Sequence, residues 1–208
     1  MDSLVLELQR DALDRSIHIT DLLRKALLVS KKLKIKDIEE WINDELNGYK
    51  ENSIPEYRII HGQLKALNPY RGWVPVMVNQ EWEEMICQQR VFLSVSQIEN
   101  LVAESEGGNF LYKFTADMAQ ALTELVGQNF EYALHVPIHH LVRILDTTKT
   151  KILEFALDLE SKGILGEGMT FTKDEQQLAQ SVTYNTINIE RMENSQIQQA
   201  AEKSEQLR

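Results

Sequence analysis

The sequence predicts an α+β fold that is mainly helical. An N-terminal three-helix bundle with an irregular β-hairpin is followed by a second α+β half that ends in a long helix. Apolar residues recur at helical spacing before the hairpin and again from Pro137 to Lys162. Between these regions, the stretch from Ile54 to Val78 holds three of the four prolines and has a period close to two. That period and the turn residues within the stretch indicate short strands.

Three short helices are expected before the hairpin. Asp2 or Ser3 can cap the first helix, and Thr20 followed by Asp21 is a typical start for the second. Gly48 follows the third helix, where a glycine with positive φ commonly ends a helix. The stripe of the third helix comprises Ile38, Trp41, Ile42, Glu45 and Leu46.

The hairpin is predicted from strands at residues 57–61, 63–67 and 73–78, with turn residues at 68–72. Pro75 cannot donate a backbone hydrogen bond, so its strand is expected at an edge of the sheet. Aromatic and basic residues of this stretch could form the rim of a ligand site. The alternative is that the aromatic residues, Trp73 among them, fill the space between hairpin and helices as part of the core. The ligand-rim candidates are Tyr57, Arg58, Tyr70, Arg71 and Trp73.

The second half alternates short helices with strands before the long helix. Its pattern predicts helices at residues 81–86, 97–102, 116–126, 137–162 and 172–181, and strands at 110–114 and 130–136. The domain prediction is one α+β unit over residues 1–180, with a sub-boundary near 79–95, and a polar tail or linker rich in Asn, Gln and Ser over 181–208. The stripe of the long helix and this tail together suggest a homo-oligomer that assembles through the C-terminal third, or a protein partner that binds the tail.

Composition narrows the classes of protein. The net charge of −10 makes nucleic acid an unexpected partner. The single cysteine, the absence of a secretory signal and the absence of an apolar run long enough to span a bilayer indicate a cytoplasmic protein without a membrane span. A basic run from Arg24 to Lys36 is either the solvated end of a helix or a phosphate-contacting patch. The patch would consist of Arg24, Lys25, Lys31 and Lys32.

Complete catalytic and metal motifs are missing from the sequence, so no catalytic residue, metal site or cofactor is predicted. His139 and His140 are adjacent and should point about 100° apart on a helix, while Pro137 separates them from His135. An Arg58–His61 pair could act in RNA cleavage, but a strand would place the two side chains on opposite faces. We therefore lean against an enzyme.

Several segments together resemble the AbiTii domain family of bacterial proteins, and the resemblance covers nearly the whole chain. The most specific segments are the ELNGY and NPYRGWVP motifs. The similar segments are LELQRDALD at 6–14, LLRKAL at 22–27, EEWINDELNGY at 39–49, IPEYR at 54–58, LNPYRGWVPV at 67–76, the long helix with its glycine turn at 144–171, and the polar INIERMENSQIQQ at 187–199.

The resemblance implies a role in abortive infection, the defence in which an infected bacterium stops growing before phage spread. It implies no particular reaction and no catalytic residues. Members of this family often continue past a linker like this one, which leaves open whether an effector segment belongs after Arg208. The leading hypothesis is an intracellular antiphage module that acts by recognition or self-assembly and is toxic on activation. The alternatives are a nuclease-type toxin and a small-ligand sensor.

Overall fold

The computed structural model describes residues 3–50, 54–105 and 108–181. Within these ranges it has a mainly helical α+β fold with short antiparallel sheets, as the sequence predicts. In chain order the elements are α1 (Leu4–Leu13), α2 (Ile19–Leu33), α3 (Lys36–Asn47), a 3-10 turn (Glu56–Arg58), β1 (Ile59–His61), β2 (Gln63–Asn68), β3 (Gly72–Pro75), α4 (Gln80–Cys87), β4 (Gln88–Arg90), α5 (Val95–Glu104), β5 (Asn109–Lys113), α6 (Ala116–Val126), β6 (Glu131–Pro137), α7 (His139–Ser161) and α8 (Lys173–Gln180).

The first three helices form where their apolar stripes predict them. Ser3 caps α1 by accepting a hydrogen bond from the amide of Leu6. The start of α2 differs from the prediction: the helix begins at Ile19, and the hydroxyl of Thr20 donates to Glu99 of α5 instead of capping. Gly48 ends α3 with a φ of +91°, which confirms its predicted conformation.

The predicted hairpin exists, but its first strand is divided. Tyr57 and Arg58 lie in the 3-10 turn, and only the following three residues form β1, which pairs with β4 in a separate two-stranded sheet. β2 and β3 form the hairpin, and β3 lies at one edge of a four-stranded sheet with the order β3-β2-β6-β5. Pro75 therefore sits on an edge strand, as predicted.

The two faces of the four-stranded sheet have different surroundings. Leu64, Ala66 and Tyr132 share the inner face and form a small core with Ile86 of α4 and Leu122 of α6. Alternate residues point to the opposite face. Among the described residues, the outer-face apolar residues Leu67, Trp73, Ala133 and Leu111 belong to neither hydrophobic core.

The long helix α7 is buried within its own chain. It packs against α1 and α2, and the residues of its apolar stripe lie in the main core, which spans residues from Leu4 to Ala179. The stripe that suggested a contact between copies is therefore occupied inside the chain. Of the residues in question, Leu141, Leu145, Ile152, Phe155, Ala156 and Leu159 are buried, whereas Val142 is half-buried and lines an open groove along the helix. The polar tail, from Val182 onward, lies outside the described residues. In the part of the chain that is described, none of the helices is long and apolar enough to cross a membrane.

Candidate functional site

Tyr57 and Arg58 belong to a buried polar network that is centred on Glu45. The carboxylate of Glu45 accepts hydrogen bonds from Arg58 Nη2 at 2.5 Å, Arg58 Nε at 3.1 Å, the hydroxyl of Tyr49 at 2.6 Å, the hydroxyl of Thr148 at 3.2 Å, and the hydroxyl of Tyr57. Both members of the Glu45–Arg58 ion pair have fully buried side chains. The network thus connects α3, the 3-10 turn and α7 in the interior.

The remaining donors of the network are also satisfied. Arg58 Nη1 donates to the carbonyls of Val91 at 3.2 Å and Leu93 at 2.5 Å, and the indole of Trp41 donates to Tyr57 at 2.9 Å. Burial raises the pKa of Tyr57, and the neighbouring Glu45 carboxylate raises it further, so its hydroxyl remains a donor at neutral pH. Because it is fully buried, Arg58 cannot contribute to a surface rim, and its role is to join elements.

The structure does not bring the five ligand-rim candidates together. Tyr70 is 95% exposed, and with the exposed Arg71 it occupies the turn between β2 and β3. Trp73 is half-buried on the outer face of the sheet, which corrects the expectation that it lies in the core. Its ring contacts the ring of His135 at 4.8 Å between centroids. The ligand-rim hypothesis remains a prediction for Tyr70, Arg71 and Trp73.

The basic candidates of α2 have different surroundings from one another. Arg24 pairs with Asp21 at 2.9 Å, and Lys25 pairs with Asp11 and Glu7 of α1. Burial lowers the pKa of Lys25, but the hydrogen bond and charge of Asp11 outweigh it, so the pKa is raised overall. Half of the proposed phosphate patch is thus engaged by carboxylates, while Lys31 and Lys32 lie in the last turn of the helix.

A cleft forms where the start of β2, the end of β6 and the start of α7 meet. Its volume is about 310 Å³, at the lower end of the range of small-molecule sites. The antiparallel register places Gln63 opposite His135, and α7 starts two residues after β6 ends. We call this site the histidine cleft; its lining residues are His61, Gly62, Gln63, Lys65, Asn109, His135, Pro137 and His140.

Two imidazole nitrogens at the cleft, Nε2 of His135 and Nδ1 of His140, are buried and have no hydrogen-bond partner among the described residues. An unsatisfied buried polar atom destabilises a fold by about 1–3 kcal/mol, so such atoms are uncommon without a functional reason. Burial lowers the pKa of His135, and the charge of Lys65 lowers it further. Burial also lowers the pKa of His140, with contributions from His139, Arg143 and His61. Both groups are therefore neutral imidazoles at neutral pH.

The histidines come together more closely than the sequence suggested. The rings of His139 and His140, which were expected to point apart, contact each other at 4.5 Å between centroids. His139 and Arg143 line a neighbouring open groove along α7. Among the described residues, no group of three or more His, Cys, Asp or Glu side chains has the arrangement of a metal site.

Sequence reasoning missed both the cleft and the buried network. The cleft depends on the pairing of β2 with β6, which neighbouring residues do not encode. The sequence did contain a signal for the network: Glu45 falls on the apolar stripe of α3, and a carboxylate at a buried position requires a buried partner. Cys87 is half-buried, and burial raises the pKa of its thiol, as is typical of a cysteine that packs as a small hydrophobic side chain.

The fold and the cleft define a mainly helical α+β protein with a histidine-rich cleft beside one long helix. The AbiTii family model matches residues 3–184, and the chain belongs to the AbiTii family. The family name connects the chain with abortive infection, an antiphage defence of bacteria. No curated protein and no solved structure matches the chain.

Proposed function

We propose that this chain is the recognition module of an abortive-infection defence, and that the histidine cleft is where its trigger is recognised. The observation that carries the proposal is the His135 imidazole, whose Nε2 is buried and unpartnered at the cleft. The structure supplies partners for the donors of the buried Glu45–Arg58 network, so an unpartnered buried nitrogen at the cleft is an exception among the buried polar groups of the described residues. Recognition of this kind takes place in the cytoplasm, where replicating phage present their products.

The proposal has two further parts, toxicity on activation and self-association. A bound trigger would stabilise one state of the chain, and that state would stop growth of the cell. Self-association would use the tail that begins at Val182, since most of the stripe of α7 is occupied within the chain. The alternative of a small-ligand sensor uses the same cleft in place of the predicted rim.

Phage challenge of bacteria that express the chain tests this proposal. We expect wild-type protein to lower the number of plaques, and the variants His135→Gln and Lys65→Gln to restore it. Lys113→Gln is the matched control, because Lys113 carries the same charge on β5 but is not a lining residue of the cleft. Protection that survives both cleft substitutions, with all variants expressed at equal levels, would refute the assignment.

A nuclease-type toxin is the second candidate, and it is favoured by one observation. His61, His135 and His140 meet at the cleft beside Lys65, so imidazoles able to transfer protons lie near a cation able to stabilise a phosphorane. Purified chain incubated with RNA decides between the candidates. Cleavage that falls in His61→Gln and His140→Gln but persists in Lys113→Gln would support the nuclease, and intact RNA would reject it.

A further inference from the structure

We propose that the histidine cleft is an anion site that binds the phosphate group of its ligand. The inference rests on the proposed function only in placing recognition at this cleft. Three features of the structure point to a phosphate: the charges of the lining residues, the start of α7, and the unpartnered imidazole nitrogens.

The charge of the cleft is opposite to that of the chain. Acidic residues outnumber basic ones by 32 to 22 in the sequence. None of the described residues that line the cleft is acidic, whereas Lys65 contributes a positive charge and three histidines contribute imidazole N–H groups. Arg143 lies one turn into α7, and its positive charge helps to lower the pKa of His140. The acidic residues of β6 and α7 occupy other positions: Glu131 is at the opposite end of β6, Asp146 lines the neighbouring groove, and Glu154, Asp158 and Glu160 lie further along α7.

The N-terminus of α7 adds a partial positive charge. Pro137 and His140, on either side of the first helical residue, both line the cleft. The N-cap residue Ile138 has no side chain that can accept a hydrogen bond. At this end of the 23-residue helix the amide of Ile138 donates to the carbonyl of Gly108 and that of Leu141 to the carbonyl of Ile138, which leaves the amides of His139 and His140 without a side-chain cap. Uncapped amides and the helix dipole favour an anion, and phosphate groups commonly bind at such positions.

The unpartnered nitrogens supply the specific contacts. His135 is only 9% exposed, and both His135 Nε2 and His140 Nδ1 are covered by neighbouring atoms. Donation of an N–H group from either ring to a phosphate oxygen would remove the cost of the missing partner. Trp73 packs against the His135 ring on the outer face, so a ligand that extends from the cleft along the sheet would meet an aromatic side chain next.

Nucleotides and free inorganic phosphate share the chemistry that this site recognises. Calorimetric titrations of the purified full chain with AMP, inorganic phosphate and adenosine separate them. We expect AMP or phosphate to bind and adenosine not to bind. Tighter binding of AMP than of phosphate would identify a nucleotide, and equal binding would identify the phosphate group alone as the ligand.

Variants then locate the site. We expect Lys65→Gln and His135→Gln each to weaken binding by about tenfold, because each removes a charged or charge-assisted contact. Lys113→Gln should leave the affinity unchanged, and equal melting temperatures would show that the variants fold.

The inference is overturned if neither AMP nor phosphate binds at millimolar concentration, if adenosine binds as well as AMP, or if Lys113→Gln weakens binding as much as Lys65→Gln. If phosphate binding fails while the cleft variants still abolish phage protection, the proposed function stands and only the ligand class is wrong.

Discussion

At the scale of single residues, the Glu45–Arg58 pair carries the greatest predicted effect on stability. Removal of one member of a buried ion pair leaves an uncompensated charge in the core and costs about 3–5 kcal/mol. We therefore expect Glu45→Leu or Arg58→Leu to lower the free energy of unfolding by about this amount in urea denaturation. The double variant should lose less than the sum of the two, since no charge is left alone.

The exposed pair Arg24–Asp21 is the matched control for this experiment. Its side chains are 66% and 62% exposed, so water screens the attraction, and Arg24→Leu should change the unfolding free energy by less than about 1 kcal/mol. If Glu45→Leu and Arg24→Leu had similar effects, the central role of the buried network in stability would be disproved.

The cleft histidines predict how stability depends on pH. Their pKa values are lowered below the ordinary 6.5 by burial, so the unfolded chain takes up protons before the folded chain as the pH falls. This contribution to stability is fully present above 6.5 and is lost as the pH falls from 6.5 toward the lowered values. The unfolding free energy should be smaller at about pH 5.5 than at about pH 7.5.

The double variant His135→Gln, His140→Gln isolates this effect. It keeps the other three histidines. The carboxylates of Asp14 and Glu175 have lowered pKa values and therefore titrate below this pH range, so they do not contribute to the difference. We expect a smaller decrease in stability between the two pH values than in the wild type. An identical decrease would show that these two imidazoles titrate normally.

At the scale of elements, the corner after α3 depends on glycine for two separate reasons. A Cβ at Gly48 would lie 2.7 Å from the carbonyl oxygen of Phe92, and its φ of +91° is unfavourable for other residues. Gly127, after α6, has a φ of +73°, but a Cβ added there would have no described atom within 4 Å beyond its chain neighbours and its own helix. Gly127→Ala should cost about 1 kcal/mol from backbone strain alone. Gly48→Ala should cost at least about 1 kcal/mol more, and equal losses in thermal or urea denaturation would rule out the close contact as a cause.

Local sequence predicted most elements because caps and stripes are local features. Thr115 and Gly127 bound α6 as expected, and Pro75 lies on an edge strand. The exceptions depend on distant partners. The 3-10 turn at Tyr57 and Arg58 forms where both side chains reach Glu45, and this tertiary contact overrides the strand preference of aromatic and β-branched residues.

At the scale of the whole molecule, self-association is expected to depend on the polar tail. Most of the apolar stripe of α7 is buried against α1 and α2, so these residues are not available to a second copy. Sedimentation of the full chain and of a version that ends at Gln180 would compare the two at micromolar concentration. We expect a dimer or larger species for the full chain and a monomer for the shorter one. A monomer in both would contradict self-association, and a dimer in both would contradict the role of the tail.

The whole-molecule arrangement also explains why the cleft could not be predicted. His61, His135 and His140 belong to β1, β6 and α7, and they meet only after β2 has paired with β6. Sequence spacing gave no indication of that pairing, because registers between distant strands depend on the assembled core. By contrast, the mainly helical fold class could be predicted, because the spacing of apolar residues that indicates a helix is visible within each segment of the sequence.

The central claim is that the histidine cleft binds a ligand that carries a phosphate group, and nuclear magnetic resonance of the imidazole nitrogens tests it most directly. His18 serves as the internal control, because its side chain is 79% exposed near Glu99 of α5 and is not a lining residue of the cleft. On addition of AMP to the full chain, we predict that the nitrogen signals of His61, His135 and His140 shift and that those of His18 do not. Unchanged signals from all three cleft histidines, or an equal shift of His18, would contradict the account.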